Sequence, residues 1–336
     1  MPVVSVGSAR QRSRLGQTCA RGAPSLPQTG ATMSYLSGAI LIILAGVLWS
    51  TQGLIIRLIP DTGSWAILFW RSAGMLPVVT LWIGFASRGN VFSEIRAVGW
   101  AGVLGGLGLV MAFSGAIYAF QATSVANAVL LFAASPFCAA FLGRVLLGEE
   151  VSGLTWFAIV LAALGILVMV GGGLAGGAMD GNIAALASAL GFAVFTVTLR
   201  WGKLANMLPA VALGGVFSMI AGAIALATLG KAVLIPLPEI AISALMGAVT
   251  LTGGMLLYTL GSKVVPAAQA TLLSLVEVLL APLWVWLLLD ETVSRGTLVG
   301  GAVLLAAVLL NAYGGRVSRV QKGARPHGLR PHPEDI

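Results

Sequence analysis

The sequence predicts an all-α, polytopic membrane protein, and three observations support this fold class. Of the 336 residues, 58% are hydrophobic and only 9% are charged, whereas soluble domains have about 45–50% apolar and about 25% charged residues. The apolar residues fall in runs of about 20, the length that a helix needs to cross a ~30 Å hydrocarbon core. Turn-forming residues separate the runs, as at residues 60–63 (Pro-Asp-Thr-Gly) and 236–238 (Pro-Leu-Pro).

The apolar runs predict ten transmembrane helices. In chain order they cover residues 36–59, 64–86, 97–119, 124–147, 153–172, 181–200, 208–229, 239–261, 266–289 and 296–314. The connections between them are short, so we expect no soluble domain between the spans. A membrane scaffold that does not transport anything is disfavoured for the same reason, because it would need a soluble interaction surface.

Both ends of the chain are rich in basic residues. Residues 1–34 contain four arginines and no acidic residue, and we expect a flexible basic tail because this composition cannot build a packed element. The tail is either a transit peptide or an over-extended start of translation, since Met33 stands directly before the first run. Residues 315–336 are predicted to form a second, basic and cytoplasmic tail.

The positive charge predicts orientation and argues against nucleic-acid binding. The net charge is +8, but the basic residues lie in the tails and short connections and are not clustered on a folded surface. With the N-terminus in the cytoplasm, 15 of the 19 Lys and Arg residues fall on the inner side and 4 elsewhere. The positive-inside rule therefore predicts a bacterial-type inner membrane protein with both termini cytoplasmic. The expected partners are the lipid bilayer and a small-molecule substrate, in a monomer or homodimer.

The residues that enzymes and metal sites need are missing from the predicted spans. His327 and His332 lie in the C-terminal tail, and the two cysteines, Cys19 and Cys138, have no metal-site spacing. The sequence has no phosphate-binding loop of the ATPase type. We therefore expect no cofactor, no metal and no enzymatic activity.

An internal repeat appears when the chain is shifted on itself by 142 residues. The pattern Glu-x-Val-Ser-x-x-Thr then recurs at Glu149–Thr155 and Glu291–Thr297. Five predicted spans separate corresponding points, and five is odd, so the two halves must be inverted in the membrane. Inverted repeats with a site near the midplane are typical of secondary transporters.

Four acidic residues lie at predicted helix junctions, where an acid at a helix N-terminus interacts with the positive end of the helix dipole. We expect this capping role for Glu149, Glu150, Asp290 and Glu291.

A family resemblance rests on four stretches: residues 45–50 (Ala-Gly-Val-Leu-Trp-Ser), residues 69–71 (Phe-Trp-Arg), Pro136 to Glu149, and Glu277 to Ser294. The sequence resembles ten-helix EamA-type members of the drug/metabolite transporter (DMT) superfamily. The resemblance implies two five-helix EamA repeats, here residues 36–172 and 181–314. It also implies export of amino acids or related metabolites. Import or exchange of another small molecule, such as a nucleoside, sugar or cationic drug, stays open.

The family's ninth helix commonly reads Glu-Pro where this sequence has Glu277-Val278, with a proline four residues later at Pro282. We therefore expect any break in this helix to be displaced by one turn.

Two ionisable residues inside predicted helices are candidates for function, because charge in a membrane is costly. Glu277 lies about 17 Å into helix 9 and Arg71 roughly 10 Å into helix 2, at 1.5 Å rise per residue. We predict that both bind substrate and that Glu277 couples transport to protons by binding or releasing one with the substrate. The alternative is structural, either a permanent Glu277–Arg71 pair or a protonated Glu277 bonded to a neighbouring helix.

Neutral polar side chains complete the predicted substrate site. They could line a cavity with hydrogen-bonding groups and an aromatic wall, and they are Trp49, Gln52, Asn127, Tyr258 and Gln269. The alternative for each is a hydrogen bond between helices, worth about 0.6 kcal/mol, or an anchor at the membrane interface.

Overall fold

The structure is a computed structural model that describes residues 33–174, 178–204, 206–265 and 267–323. Most of the predicted N-terminal tail and residues 324–336 lie outside the described residues. Within the described residues, the regular structure consists of fourteen α-helices and one π-helical segment. The all-α prediction is therefore confirmed for this part of the chain.

The helices of the first half are α1 (Tyr35–Arg57), α2 (Ser64–Ala86), α3 (Val91–Ala97), α4 (Gly99–Ala122), α5 (Val125–Phe132), α6 (Ser135–Leu147) and α7 (Gly153–Leu174). Those of the second half are α8 (Met179–Trp201), α9 (Leu208–Thr228), α10 (Leu237–Leu245), the π-helical segment (Met246–Gly253), α11 (Gly254–Gly261), α12 (Ala267–Ser274), α13 (Val276–Leu289) and α14 (Arg295–Gly323).

Eight helical stretches among the described residues are long and apolar enough to cross a membrane. Two of these stretches combine several elements: Val125–Leu147 joins α5 and α6, and Leu237–Gly261 joins α10, the π-helical segment and α11. The last two predicted spans correspond to the shorter apolar helices Val276–Leu289 and Arg295–Asn311. The protein is thus a multi-pass membrane protein, and the described residues contain eight stretches that meet the length and hydropathy of a span.

The helix contacts repeat between the two halves. Helix α4 of the first half packs against α8 of the second, and α11 of the second half packs against α1 of the first. Each pair joins the third span of one half to the first span of the other. The α2–α9 and α7–α14 pairs each join corresponding spans. Such a pattern is expected when a pseudo-two-fold axis relates the halves.

Small residues allow these helices to approach closely, as is usual in membranes. A Cβ atom built on Gly108 of α4 would lie only 2.8 Å from the carbonyl oxygen of Gly191 in α8. A Cβ atom on Gly165 of α7 would lie 2.7 Å from the carbonyl oxygen of Gly300 in α14. Both crossings therefore depend on glycine.

The first helices of the two halves run in opposite directions. Along the α4–α8 contact, Gly108 faces Gly191 and Gly115 faces Ala184, so the two helices are antiparallel. Because α1 and α4 are both odd-numbered spans of the first half, α8 runs opposite to α1. The second half is consequently inverted relative to the first.

Two helices are interrupted at matching positions. The fourth span of the first half breaks between α5 and α6, where Ala133 ends α5. The corresponding span of the second half breaks between α12 and α13 at Leu275. A shift of 142 residues superposes Ala133 on Leu275. The expectation of a break displaced toward Pro282 is wrong, because this proline lies inside α13.

Candidate functional site

The break at Leu275 puts Glu277 at the second position of α13, beside α1. A Cβ atom on Gly46 of α1 would lie 3.5 Å from the Glu277 backbone nitrogen. Among the described residues, no hydrogen bond or ion pair is made by the Glu277 carboxylate. The predicted alternative of a permanent Glu277–Arg71 pair is not observed, since the ion pairs found within the described residues involve other side chains.

Arg71 and Gln52 are brought together inside the first half. Arg71 is 2% exposed and Gln52 is 9% exposed, so both are buried. The Nη1 atom of Arg71 donates a hydrogen bond of 3.3 Å to the side-chain oxygen of Gln52. The Arg71 guanidinium also lies over the Phe113 ring of α4, 4.8 Å from its centroid, at a distance where cation–π attraction operates.

The aromatic side chains Trp49 and Tyr258 form a ring pair with centroids 5.7 Å apart. The Trp49 indole nitrogen approaches the carbonyl oxygen of Leu251 at 3.5 Å, and Leu251 belongs to the π-helical segment. π-Helical segments are rare and are concentrated at functional sites. Trp49 of α1 and Tyr258 of α11 therefore form an aromatic wall beside the π-helical segment.

Sequence reasoning missed Trp284, which contacts α1 at Ser50, one turn after the Gly46 position that packs against Glu277. Its indole nitrogen donates a 2.9 Å hydrogen bond to the hydroxyl of Ser50. A signal was available, because Trp284 follows Glu277 by seven residues, which places both on one face of α13. The large number of apolar residues around Trp284 concealed this spacing.

The predicted site residue Asn127 lies in a different environment. Its side-chain nitrogen donates to the Asn182 side-chain oxygen and to the Thr123 hydroxyl (3.3 Å), and its oxygen accepts from the Thr297 hydroxyl (3.3 Å). Asn127 is 4% exposed. This closed network joins α4, α5, α8 and α14, so the geometry favours the interhelical role and we leave Asn127 outside the proposed site.

Gln269, the repeat counterpart of Asn127, is placed differently. It lies in α12, and its side-chain oxygen is buried without a hydrogen-bond partner. The described contacts do not join it to the residues around Arg71 or Trp49, so its predicted role in substrate binding stays a prediction.

Two ion pairs lie at opposite ends of the membrane domain. Arg57, the last residue of α1, has its Nε atom 3.1 Å from the carboxylate of Glu291. Arg200, near the end of α8, has its Nη1 atom 2.6 Å from the carboxylate of Glu149. Because α1 and α8 run in opposite directions, their C-terminal ends lie on opposite faces, which we call the Glu291 end and the Glu149 end.

These ion pairs are related by the internal repeat. Glu149 and Glu291 correspond at the 142-residue shift, and Arg57 and Arg200 each lie at the end of the first helix of their half. The expected capping role of the two glutamates is replaced by ion pairing. The helix N-termini are capped instead by Ser152 and Ser294, whose hydroxyls each accept the backbone N–H three residues later at 3.1 Å.

The Glu291 end has additional polar contacts. The second carboxylate oxygen of Glu291 accepts the backbone N–H of Val125, at the start of α5, at 2.7 Å. The bond from Arg57 to the carbonyl oxygen of Thr123 (2.8 Å) has a counterpart at the other end, from Arg200 to the carbonyl oxygen of Ala139 (3.1 Å). At the Glu291 end α13 packs against α5, whereas the corresponding pair at the Glu149 end, α6 and α12, shows no comparable packing among the described residues.

Sequence comparison agrees with this repeated architecture. The sequence profile of the EamA-like transporter family matches residues 36–171 and again residues 179–313. The chain belongs to the EamA-like transporter family. The recognition of the DMT superfamily from sequence motifs is therefore confirmed, and the family consists of membrane transporters, not enzymes.

Structure comparison shows the fold. One solved crystal structure, described only as a protein, superposes with a TM-score of 0.58 at 18% sequence identity. The superposition covers 85% of this chain and 99% of the other. Among curated proteins, no sequence matches.

Proposed function

We propose that this EamA-like protein is a secondary transporter that carries a small polar molecule across a bacterial-type inner membrane by alternating access. The observation that carries the proposal is the pair of repeat-related ion pairs, Arg57–Glu291 and Arg200–Glu149, at opposite ends of inverted halves. Alternating access needs a closure at each end that can open while the other holds. Inverted repeats supply such closures from one sequence motif.

The strength of these ion pairs suits a transport cycle. Partly exposed ion pairs typically contribute about 0.2–1 kcal/mol, so thermal motion and substrate binding are sufficient to open either one. The additional contacts of Glu291 correspond to a conformation closed at the Glu291 end. Since α6 and α12 show no comparable packing among the described residues, we propose that the path to the interrupted helices opens from the Glu149 end.

We further propose ten spans with both termini in the cytoplasm. Together α12 and α13 extend over Ala267–Leu289 with one break, a length comparable with the α5–α6 span. The two family matches cover segments of nearly equal length, residues 36–171 and 179–313. The distribution of Lys and Arg supports a cytoplasmic Glu149 end, so the proposed opening would face the cell interior.

The proposed substrate is an amino acid or related metabolite that is exported, with Glu277 as the proton-binding group. Glu277 lies beside a helix break and has no ion-pair partner among the described residues. A carboxyl group in this situation can exchange a proton when the surrounding helices move. Import or exchange of another small molecule is the second candidate, because the same cycle runs in either direction according to the gradients.

The test is counterflow of labelled amino acids and nucleosides in proteoliposomes with and without an inward proton gradient. We expect the wild type to exchange a solute and Glu277→Gln to retain exchange but lose proton-driven accumulation. Glu94→Gln, in the short helix α3, makes the same chemical change and should behave as wild type. Proton-driven accumulation by Glu277→Gln at the wild-type level would exclude Glu277 as the coupling group.

A further inference from the structure

Arg71 is a buried cation whose charge is not neutralised by any described carboxylate. Its Nη1 atom donates to Gln52, but its Nε and Nη2 atoms are buried without a hydrogen-bond partner. The ion pairs of the described residues use Arg57 and Arg200, and neither involves Arg71. The cation–π contact with Phe113 offsets only part of the cost of burying this charge.

The unpartnered atoms form one particular edge of the guanidinium group. The N–H bonds of Nε and Nη2 point side by side in the guanidinium plane, and this edge accommodates the two oxygens of a carboxylate in parallel hydrogen bonds. Gln52 occupies the remaining nitrogen, Nη1, and so fixes the orientation of the plane. The donor edge is preformed and unused.

The surroundings connect Arg71 to the candidate transport site. Gly247, in the π-helical segment, packs against the Arg71 carbonyl oxygen so closely that any side chain at position 247 would collide with it. Leu251 of the same segment contacts Trp49, which precedes Gln52 by one turn of α1. Arg71 therefore lies beside the aromatic wall and not in an unrelated part of the core.

We propose that Arg71 is the anion subsite of the transporter and that the substrates carry a single carboxylate, bound by the Nε and Nη2 edge. The inference rests on the proposed function and names its substrate class. One guanidinium balances one carboxylate, whereas a doubly charged phosphate would leave excess negative charge in the membrane interior. Both donor atoms are covered in the observed conformation, so carboxylate binding favours the conformation that is open at the Glu291 end.

The test measures how tightly the purified full-length protein in detergent binds three sets of small molecules, each built on a different amino acid. Each set contains a monocarboxylic amino acid, its amide and the corresponding amine, so that only the carboxylate varies. Binding is measured by the ligand-dependent rise in Tm. We expect the acid to bind at least about tenfold more tightly than the amide, the factor that corresponds to one charge-assisted hydrogen bond.

Variants of Arg71 should change this preference in a graded way. Arg71→Gln removes the charge and should abolish the preference for acids. Arg71→Lys keeps the charge but loses the two-donor edge, so it should keep the preference at about a tenth of the wild-type affinity. Arg96→Gln, which removes an exposed arginine of α3, is the matched control and should leave the preference unchanged. If Arg71→Gln does not fold, Gln52→Met tests the same edge, with a weaker preference expected.

The outcomes separate the subsite from the proposed function. Equal binding of acid, amide and amine by the wild type, or no binding of any acid, overturns the carboxylate subsite even if counterflow is intact. An acid preference that persists in Arg71→Gln overturns it as well. Failure of the proposed function has a different signature, namely acid-specific binding without counterflow of any solute.

Discussion

The two ends of the membrane domain carry the same ion pair but are stabilised to different degrees. At the Glu291 end, the side chains of Arg57 and Glu291 are 27% and 21% exposed, and Glu291 also binds the Val125 amide. At the Glu149 end, the side chains of Arg200 and Glu149 are 44% and 36% exposed. Solvent screens the second pair more strongly, so it contributes less to closure.

The difference shows that the repeat supplies the ion pair but the neighbouring helix sets its strength. Both arginines donate to a backbone carbonyl, Arg57 to Thr123 and Arg200 to Ala139. Among the described residues, only the Glu291 carboxylate of the two also accepts a backbone amide, from Val125 at the start of α5. A charge-assisted hydrogen bond to a backbone amide is worth roughly 1.5–3 kcal/mol, more than the exposed ion pair itself. One such bond is enough to make the proposed closure at the Glu291 end more stable than that at the Glu149 end.

Covalent locking of either end should have the largest effect on transport. Cysteines replacing Arg57 and Glu291, or Arg200 and Glu149, can be joined by a short, cleavable bifunctional maleimide. Because alternating access requires both ends to open in turn, we expect each cross-link to reduce counterflow to the level of empty liposomes and cleavage to restore it.

The locking experiment needs a background without native cysteines, made by Cys19→Ser and Cys138→Ser. Single-cysteine variants treated with the same reagent are the controls for labelling itself. Full counterflow with either end cross-linked would contradict alternating access through these two closures.

Neutralising the two glutamates should shift the conformational equilibrium in opposite directions. Glu291→Gln loses the ion pair and weakens the bond from Val125, so we expect about a tenfold shift toward opening of the Glu291 end, for about 1.4 kcal/mol. Glu149→Gln loses only an exposed ion pair, and we expect about a threefold shift the other way.

Distances between spin labels measure these shifts. Labels at Leu146 and Lys263 report on the Glu149 end, and labels at Asp61 and Leu288 report on the Glu291 end, all in the cysteine-free background. Shifts of equal size in the two variants would show that the difference between the ends is unimportant.

Val125→Pro isolates the single hydrogen bond that distinguishes the ends. Val125 is the first residue of α5, a position where proline is tolerated because its N–H is not needed by the helix. Ser124 has the extended backbone, with φ −62° and ψ 145°, that a residue before proline prefers. We expect about a fivefold shift toward opening of the Glu291 end, measured with the same labels.

Val125→Ala is the matched control, since it shortens the side chain but keeps the N–H. It should lower stability without a comparable shift in the label distances. If alanine and proline shift the distances equally, the effect comes from packing and not from the hydrogen bond.

The smallest effect on the equilibrium is expected from the helix caps, which are identical at the two ends. Ser152→Ala and Ser294→Ala each remove a hydroxyl that caps a helix, at a cost of about 1 kcal/mol in the free energy of unfolding. Tm should fall by similar amounts in both variants, while the label distances stay as in the wild type. A large change in distances in only one variant would make the caps part of the difference between the ends.

Much of the fold follows from the sequence because the bilayer imposes simple rules. Runs such as residues 36–59 and 64–86 are apolar along a span's length, and the structure has α1 and α2 in these places. The π-helical segment and the breaks at Ala133 and Leu275 could not be predicted, because they depend on how neighbouring helices pack. The expectation based on Pro282 failed for this reason.

The candidate site was only partly predictable. Arg71 and Glu277 stand out in any apolar run because charge there is costly, and their place inside the spans follows from counting residues. The partners of Arg71 cannot be read from the sequence, since Gln52 and Phe113 come from two other helices. Asn127 looked equivalent to these residues, but its hydrogen-bond network with Asn182 depends on the contact between the two halves.

The sequence by itself determined the fold class, the family and the repeat, because hydrophobic length and a recurring motif are local properties of the chain. Only the tertiary structure decided that Glu149 and Glu291 pair with arginines while Ser152 and Ser294 cap the helices. It also decided that Glu291 but not Glu149 accepts a backbone amide among the described residues and that the donor edge of Arg71 is unused. These features depend on distances between atoms far apart in the chain, which helix packing sets and no local pattern encodes.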